Sequence, residues 1–398
     1  MTHFSTTRLL LAGAALVMLP GPVWALDGQD LLAKINAAYA AGSGKITANA
    51  VEVDGDDVLL KGVMLTVNTP DAKPLPVGDL TLKGVSEEDG GAYYIERLDF
   101  PAVNFSQDKA NFSVADLYLA GIHVPGNTTT GDIDSLMLYE EAHSGPVSVT
   151  VDGKPVFSIA ESSAEMGVDD EGTTLSFEGS VTGIKGDLSM VEDAKSKDAI
   201  EKLGLKSLDG KVTMKGSWEL PSGTIDVEEY AFDFASIGRL NLAFTLSGYT
   251  MELVKQLQET SRTMQTDPNN QQAQQAAGLA MLGIAQQMNF VGAEIRFEDD
   301  GITKRGLDYA GAQQGGMSGE DIGQMVKAMV PLFLAQAKLG EIQNTVSAAV
   351  NTYIDKPESF TVTATPENPV PFPMLLGAYM GAPETLPKVL GIDVTAND

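Results

Sequence analysis

Residues 211–218 read Lys211-Val212-Thr213-Met214-Lys215-Gly216-Ser217-Trp218, with polar side chains between every apolar one. A period of two puts Val212, Met214 and Trp218 on one side of an extended chain and Lys211, Thr213, Lys215 and Ser217 on the other. The same alternation sets Leu175, Phe177, Gly179 and Val181 against Thr174, Ser176, Glu178 and Ser180. It returns as Leu240, Leu242, Phe244 and Leu246 against Arg239, Asn241, Thr245 and Ser247. One buried face and one wet face mark an antiparallel sheet. Between Ile225, Val227 and Tyr230, Phe232, Phe234 the apolar phase slips at Glu228-Glu229, which predicts a β-bulge or a bend.

Working outward, one short pattern recurs: two apolar residues one position apart, any residue, then glycine. It ends at Gly62, Gly84, Gly121, Gly179, Gly216 and Gly248, at intervals too irregular for a solenoid. Glycine there permits a bend or a positive φ, so the pattern predicts many short strands leaving the sheet at similar points. An extended, curved antiparallel sheet follows more naturally than a compact barrel.

Helical signals flank and follow the strands. Leu31, Leu32, Ile35, Ala38 and Tyr39 share one face of an opening helix, and residues 192–203 predict a linking helix that docks through Ile200 and Leu203. After Gly248, Met251, Leu253, Val254 and Leu257 begin a helix, and Asp267-Pro268 signals the start of another. Residues 290–297 and 302–309 around Asp299-Asp300-Gly301 suggest a hairpin. Ser318 with Asp321 forms a capping box for a helix turning Ile322, Met325, Val326, Met329, Val330 and Phe333 inward, with a kink expected at Pro331. A further helix carries Ile342, Val346, Val350 and Tyr353, then a strand Phe360, Val362 and Ala364, then an extended run with Pro366, Pro369, Pro371 and Pro373. The fold class is α+β: an extended curved antiparallel sheet of many short strands, with helices concentrated in the C-terminal part. Composition divides the chain into 1–25, a signal peptide; 26–190, a β-rich region; 191–249, a linking helix and strands; and 250–398, a helix-rich region.

Residues 1–25 join one basic residue, Arg8, to an apolar stretch at 9–19 and to Pro20-Gly21-Pro22-Val23-Trp24-Ala25. That order predicts a secretory signal cleaved before Leu26, leaving no transmembrane anchor and a soluble protein in an oxidising envelope compartment, the periplasm. Removing Arg8 leaves 25 basic against 54 acidic residues, a net charge of −29. Such a field repels nucleic acid and anionic membranes, so nucleic acid is excluded as a partner. With no cysteine in the chain, thiolate metal sites, cysteine nucleophiles and disulfides are excluded, and stability must come from the core.

No constellation points to catalysis, a metal or another cofactor. Asp54-Gly55-Asp56-Asp57, Asp169-Asp170-Glu171-Gly172 and Asp299-Asp300-Gly301 lack calcium-loop spacing and have the composition of tight turns. Glu140 and His143 could share a helix face as two metal ligands, but their surroundings predict a strand end and loop, and no third ligand is indicated. Ser180 in Gly179-Ser180-Val181-Thr182-Gly183 mimics a nucleophile elbow yet lies inside an alternating strand. Met264, Met281, Met288, Met317, Met325 and Met329 crowd the helical part; core filling is their expected role, an adaptable apolar site the alternative.

Two features resemble the periplasmic AsmA-like group and the related YdgA-like family. One is the strand-plus-glycine pattern. The other is Gly278-Leu279-Ala280-Met281-Leu282-Gly283 followed by Asp299-Asp300-Gly301-Ile302 and Leu307-Asp308-Tyr309, similar to an alanine- and methionine-rich helix and following hairpin. Members are typically held by an N-terminal membrane helix, from which a cleavable signal departs. The resemblance implies a curved sheet with an apolar groove for acyl chains, a connection with envelope lipids or outer-membrane assembly, and no catalytic residue. The expected function is therefore non-enzymatic: binding of a lipid or an outer-membrane assembly client by an apolar sheet face carrying Val212, Met214, Trp218, Leu240, Leu242, Phe244 and Leu246. A structural or adaptor protein without a groove is the alternative, and a hydrolase the least favoured reading.

Overall fold

The computed structural model describes residues 26–40, 44–67, 73–128, 131–266 and 271–398. The signal segment and the Asp267-Pro268 helix start lie outside them. An opening helix, α1 (Gly28–Ala40), precedes β1 (Gly44–Thr47) and β2 (Ala50–Asp54), both of which pair with β3 (Asp57–Val67). Next come β4 (Leu75–Glu87) and β5 (Tyr93–Asp99), each beside its predecessor. The hairpin β6 (Val103–Gln107) and β7 (Ala110–Val114) leaves this order, and β8 (Tyr118–Val124) and β9 (Leu138–Ser144) continue it from β5. β10 (Val147–Val151) and β11 (Lys154–Ile159) join β7 in a side leaf. β12 (Glu161–Val168) returns to β9, and β13 (Thr174–Asp187), which also touches β11, comes after it. After α2 (Ala194–Lys202) the ladder runs on through β14 (Ser207–Glu219), β15 (Thr224–Phe234) and β16 (Gly238–Ser247).

Helices α3 (Met251–Thr266) and α4 (Gln271–Ala285) then lead into β17 (Asn289–Asp299), which pairs with β16. Three helices come next: α5 (Ile302–Gln313), α6 (Gly319–Gln336) and α7 (Gln343–Asp355). β18 (Ser359–Ala364) and β19 (Val370–Pro371) pair with β17. After α8 (Phe372–Gly381) and α9 (Leu386–Leu390), β20 (Ile392–Ala396) closes on β18. The protein is an open, curved antiparallel sheet of many short strands, with most of its helices in the C-terminal part.

Because directly paired residues point to the same side of a sheet, the register traces one apolar face across it. The row Val58, Leu82, Leu98, Leu119, Ala142, Ala164, Gly179, Met214 and Tyr230 runs from β3 to β15. Helix α1 covers its first strands. Leu31 and Ile35 join Val58, Leu82, Ile95, Ile122 and Val124 in the main buried cluster. Polar contacts clamp α1 there: Tyr93 donates to Asp30 at 2.8 Å, and Lys34 Nζ donates to the Gly91 carbonyl at 2.6 Å. Burial and the Asp30 carboxylate push the Tyr93 phenol up, while hydrogen bonds from Lys34 and Tyr93 hold Asp30 below its ordinary range. At the far end α7 packs on β20, and Tyr353 meets the Phe360 ring edge-on at 5.4 Å.

The recurring glycines resolve into two groups. Gly62, Gly84 and Gly121 adopt φ near +60°, and Gly248 φ +89°. The first three do not end their strands, as the sequence predicts, but lie inside β3, β4 and β8. A left-handed glycine turns the strand and flips its apolar phase, while the pairing of β4 with β5 and of β8 with β5 and β9 keeps the same register on either side. Leu80 and Leu82 before Gly84, and Val85 after it, are thus all buried. Gly179 and Gly216 are ordinary extended residues in the register of β13 and β14. A Cβ at Gly121 would stand 2.5 Å from Glu140, whereas at Gly179 the nearest atom, the Ser163 carbonyl oxygen, is 3.5 Å away. Gly121→Ala should therefore cost about 1–2 kcal/mol in urea unfolding, and Gly179→Ala should change stability by less than about 0.5 kcal/mol. Equal effects at the two sites would contradict this division.

Several local expectations are met. Glu228 is the extra residue of a bulge, since Lys215 faces Glu229 and Gly216 faces Val227. The Ser318–Asp321 capping box forms in full. The hairpin expected over 290–309 is corrected: β17 is followed by a helix, α5. Asp299 accepts from the backbone amides of Gly301 and Thr303, at 2.8 and 2.9 Å, and so starts a helix where a hairpin turn was expected. In α6 the inward face is also narrower than expected, because Met329 and Phe333 are 58% and 68% exposed. Pro373 belongs to the first turn of α8, where a missing amide and fixed φ suit a helix, so the proline run is not extended throughout.

Candidate functional site

Between the covered ends the apolar face opens into a groove of ≈ 570 Å³. Its floor consists of small residues on three neighbouring strands, Ala142 and Ser144 of β9, Ser162 and Ala164 of β12, and Gly179 of β13. Larger side chains form the walls: Phe100, Leu117 and Leu119 on one side, Val181, Val212, Met214 and Tyr230 on the other. The hollow exists because short side chains are aligned in register across three strands, a span of about 10 Å at ordinary strand spacing. No Asp, Glu, Lys or Arg lines it. Met214 is 39% exposed and the remaining wall residues are half-buried.

All seven residues expected to form an apolar ligand face lie on this side of the sheet. Val212 and Met214 line the groove. Trp218 lies further along β14, opposite Leu175 and Ile225, outside the groove lining, and its Nε1 donates to the Tyr249 carbonyl at 2.8 Å. Leu240, Leu242, Phe244 and Leu246 are half-buried two strands beyond β14, and Ile295, paired with Leu242, is 48% exposed. The side leaf continues the face: Phe157 pairs with Gly186, and Gly186 with Leu208, while Phe105, Phe112 and Phe157 are 37–57% exposed. The groove floor itself escaped the sequence reading. Alanine, serine and glycine give no amphipathic signal, and their alignment depends on the pairing of β9, β12 and β13.

The opposite face is polar. A second hollow, of ≈ 960 Å³, is lined by Glu88, Glu140, Glu141, Glu165, Asp134 and His123 together with apolar residues that include Met166, Val168 and Leu175. It is larger than the groove, but water satisfies carboxylates at an open surface, whereas uncovered apolar side chains are a standing cost. Among the described residues no group of three or more His, Cys, Asp or Glu has an arrangement that could hold a metal ion. Glu140 and His143 lie in β9, which ends one residue after His143, so the expected strand end is met. His143 stacks on Tyr118 at 4.8 Å, and a hydrogen bond to Glu141 raises the Tyr118 pKa. Ser180 lies within β13, its hydroxyl 3.0 Å from that of Ser163.

A family model described as "Uncharacterized protein" matches residues 231–397, less than half of the chain. No curated protein matches it. Among the described residues, no helix is long and apolar enough to cross a membrane.

Proposed function

We propose that this is a non-enzymatic protein of the cell envelope, exported to the periplasm, which holds an acyl chain of a lipid, or an apolar segment of an outer-membrane assembly client, in the groove. The observation that carries the reading is the predominantly apolar lining of the groove, which holds no Asp, Glu, Lys or Arg, in a chain of formal net charge −28. Such a surface favours a ligand segment without charge, because burying a charge there would leave it unpaired. The signal-like residues 1–25 support export, and the AsmA-like resemblance points to the same ligand class.

Native mass spectrometry of protein recovered from the exported fraction should reveal a copurifying lipid, and the delipidated protein should bind a fluorescent fatty acid. Gly179→Leu, which raises the floor from a position with 3.5 Å of clearance at Cβ, should weaken that binding at least about tenfold without unfolding the sheet. An apo mass, no fatty-acid binding and no effect of Gly179→Leu would move the protein to the structural or adaptor class.

A further inference from the structure

We propose that α4 and α8 form a second apolar surface, separate from the groove, that docks the protein on the face of a zwitterionic lipid bilayer. The two helices touch each other and join the sheet at neighbouring strand ends, since β19 pairs with the start of β17. α4 precedes β17, α8 follows β19, and Phe372 at the start of α8 donates its amide to the Met288 carbonyl at 3.1 Å. Leu279 and Leu282 of α4 are 71% and 56% exposed, and Met374, Leu376, Tyr379 and Met380 of α8 are 54%, 51%, 69% and 84% exposed. Among the described residues nothing closes in around them: a Cβ built at Gly278, Gly283, Gly377 or Gly381 meets no atom within 4 Å.

Charge selects the occupant. Residues 268–293 and 368–383 contain no Asp, Glu, Lys or Arg, although the chain carries 80 such residues and a net charge of −28. A second copy would bring an equal negative charge, and an anionic membrane would be repelled for the same reason. A bilayer of neutral headgroups carries no opposing charge, and desolvating this patch strips no ionised group of water. Its form agrees, since flexible Met and Leu side chains with a tyrosine project outward from two adjacent helices. A projecting apolar surface inserts into a fluid interface, whereas a concave one receives a ligand.

Flotation with vesicles of phosphatidylcholine alone tests this. The wild-type protein should float, and the double variant Leu279→Asp, Met380→Asp should lose bound fraction about tenfold while keeping its circular dichroism. Residues 9–19 are common to both proteins, so the difference reads α4 and α8. Binding should persist in about 1 M salt, where the Debye length is about 3 Å, and should weaken as anionic lipid is added. Gly179→Leu, which fills the groove, should float like the wild type, so loss of groove binding and loss of docking are separately visible. Failure of the wild type to float, equal flotation of the double variant, or abolition by salt would overturn the proposal. So would a concentration-dependent dimer in ultracentrifugation that the double variant dissolves, which would make the surface a self-interface.

Discussion

Leu31→Ala should destabilise the protein by about 3–5 kcal/mol, read from urea unfolding followed by circular dichroism. Leu31 is 0% exposed and is inserted by α1 among Val58, Ile95, Ile122 and Val124, which are 6% exposed or less. Truncation leaves a cavity that the surrounding strands cannot close, because the left-handed bends at Gly62, Gly84 and Gly121 fix their course. The effect should be large because α1 is the layer that covers these strands. A lone sheet face in water has no second layer to share the loss. Leu282→Ala on the exposed face of α4 serves as the control and should cost less than about 0.5 kcal/mol. A Leu31→Ala cost below about 1 kcal/mol would show that α1 is dispensable to the core.

Trp218→Ala should cost about 3 kcal/mol, the lower end for a large aromatic side chain because the ring is half-buried. Two contacts are lost together. The indole lies 5.5 Å from the Tyr249 ring, and its Nε1–H satisfies the Tyr249 carbonyl just ahead of α3. Trp218→Phe keeps most of the apolar contact but orphans that carbonyl, and should cost about 1–2 kcal/mol. Since Trp218 is the single tryptophan after residue 25, its emission reports this joint between β14 and α3. The emission should be unmoved by a fatty acid that fills the groove, because Trp218 is absent from the groove lining. A ligand-dependent shift would place the ligand along Ile225 and Leu246, beyond the groove.

The alternation in residues 174–181, 211–218 and 239–248 was enough to place strands, to tell their two faces apart and to locate the bulge at Glu228. These are local properties: the side-chain period of an extended chain is two, and a slipped phase is visible in the residues themselves. The capping box at Ser318 and Asp321 was legible for the same reason, since both partners lie within one helical turn. Residues 299–309 misled because Asp-Asp-Gly suits both a hairpin turn and the start of a helix. A distant contact decides between them: Thr303, bonded to Tyr353 at 2.6 Å, ties α5 to α7, 50 residues away in the chain.

The sequence by itself determined the class of fold, the apolar side of each central strand, the acidic field and the absence of thiol chemistry. All of these derive from composition or from neighbours along the chain. Only the tertiary structure decided where that apolar side is covered and where it is open. Coverage depends on which helix returns to which strand, and α1 and α7 return to the two ends. The groove between them is a product of register. Ala142, Ala164 and Gly179 are ordinary residues in their own segments and form a trough only when β9, β12 and β13 align them, because pairing across strands is set by long-range hydrogen bonds and not by adjacent residues.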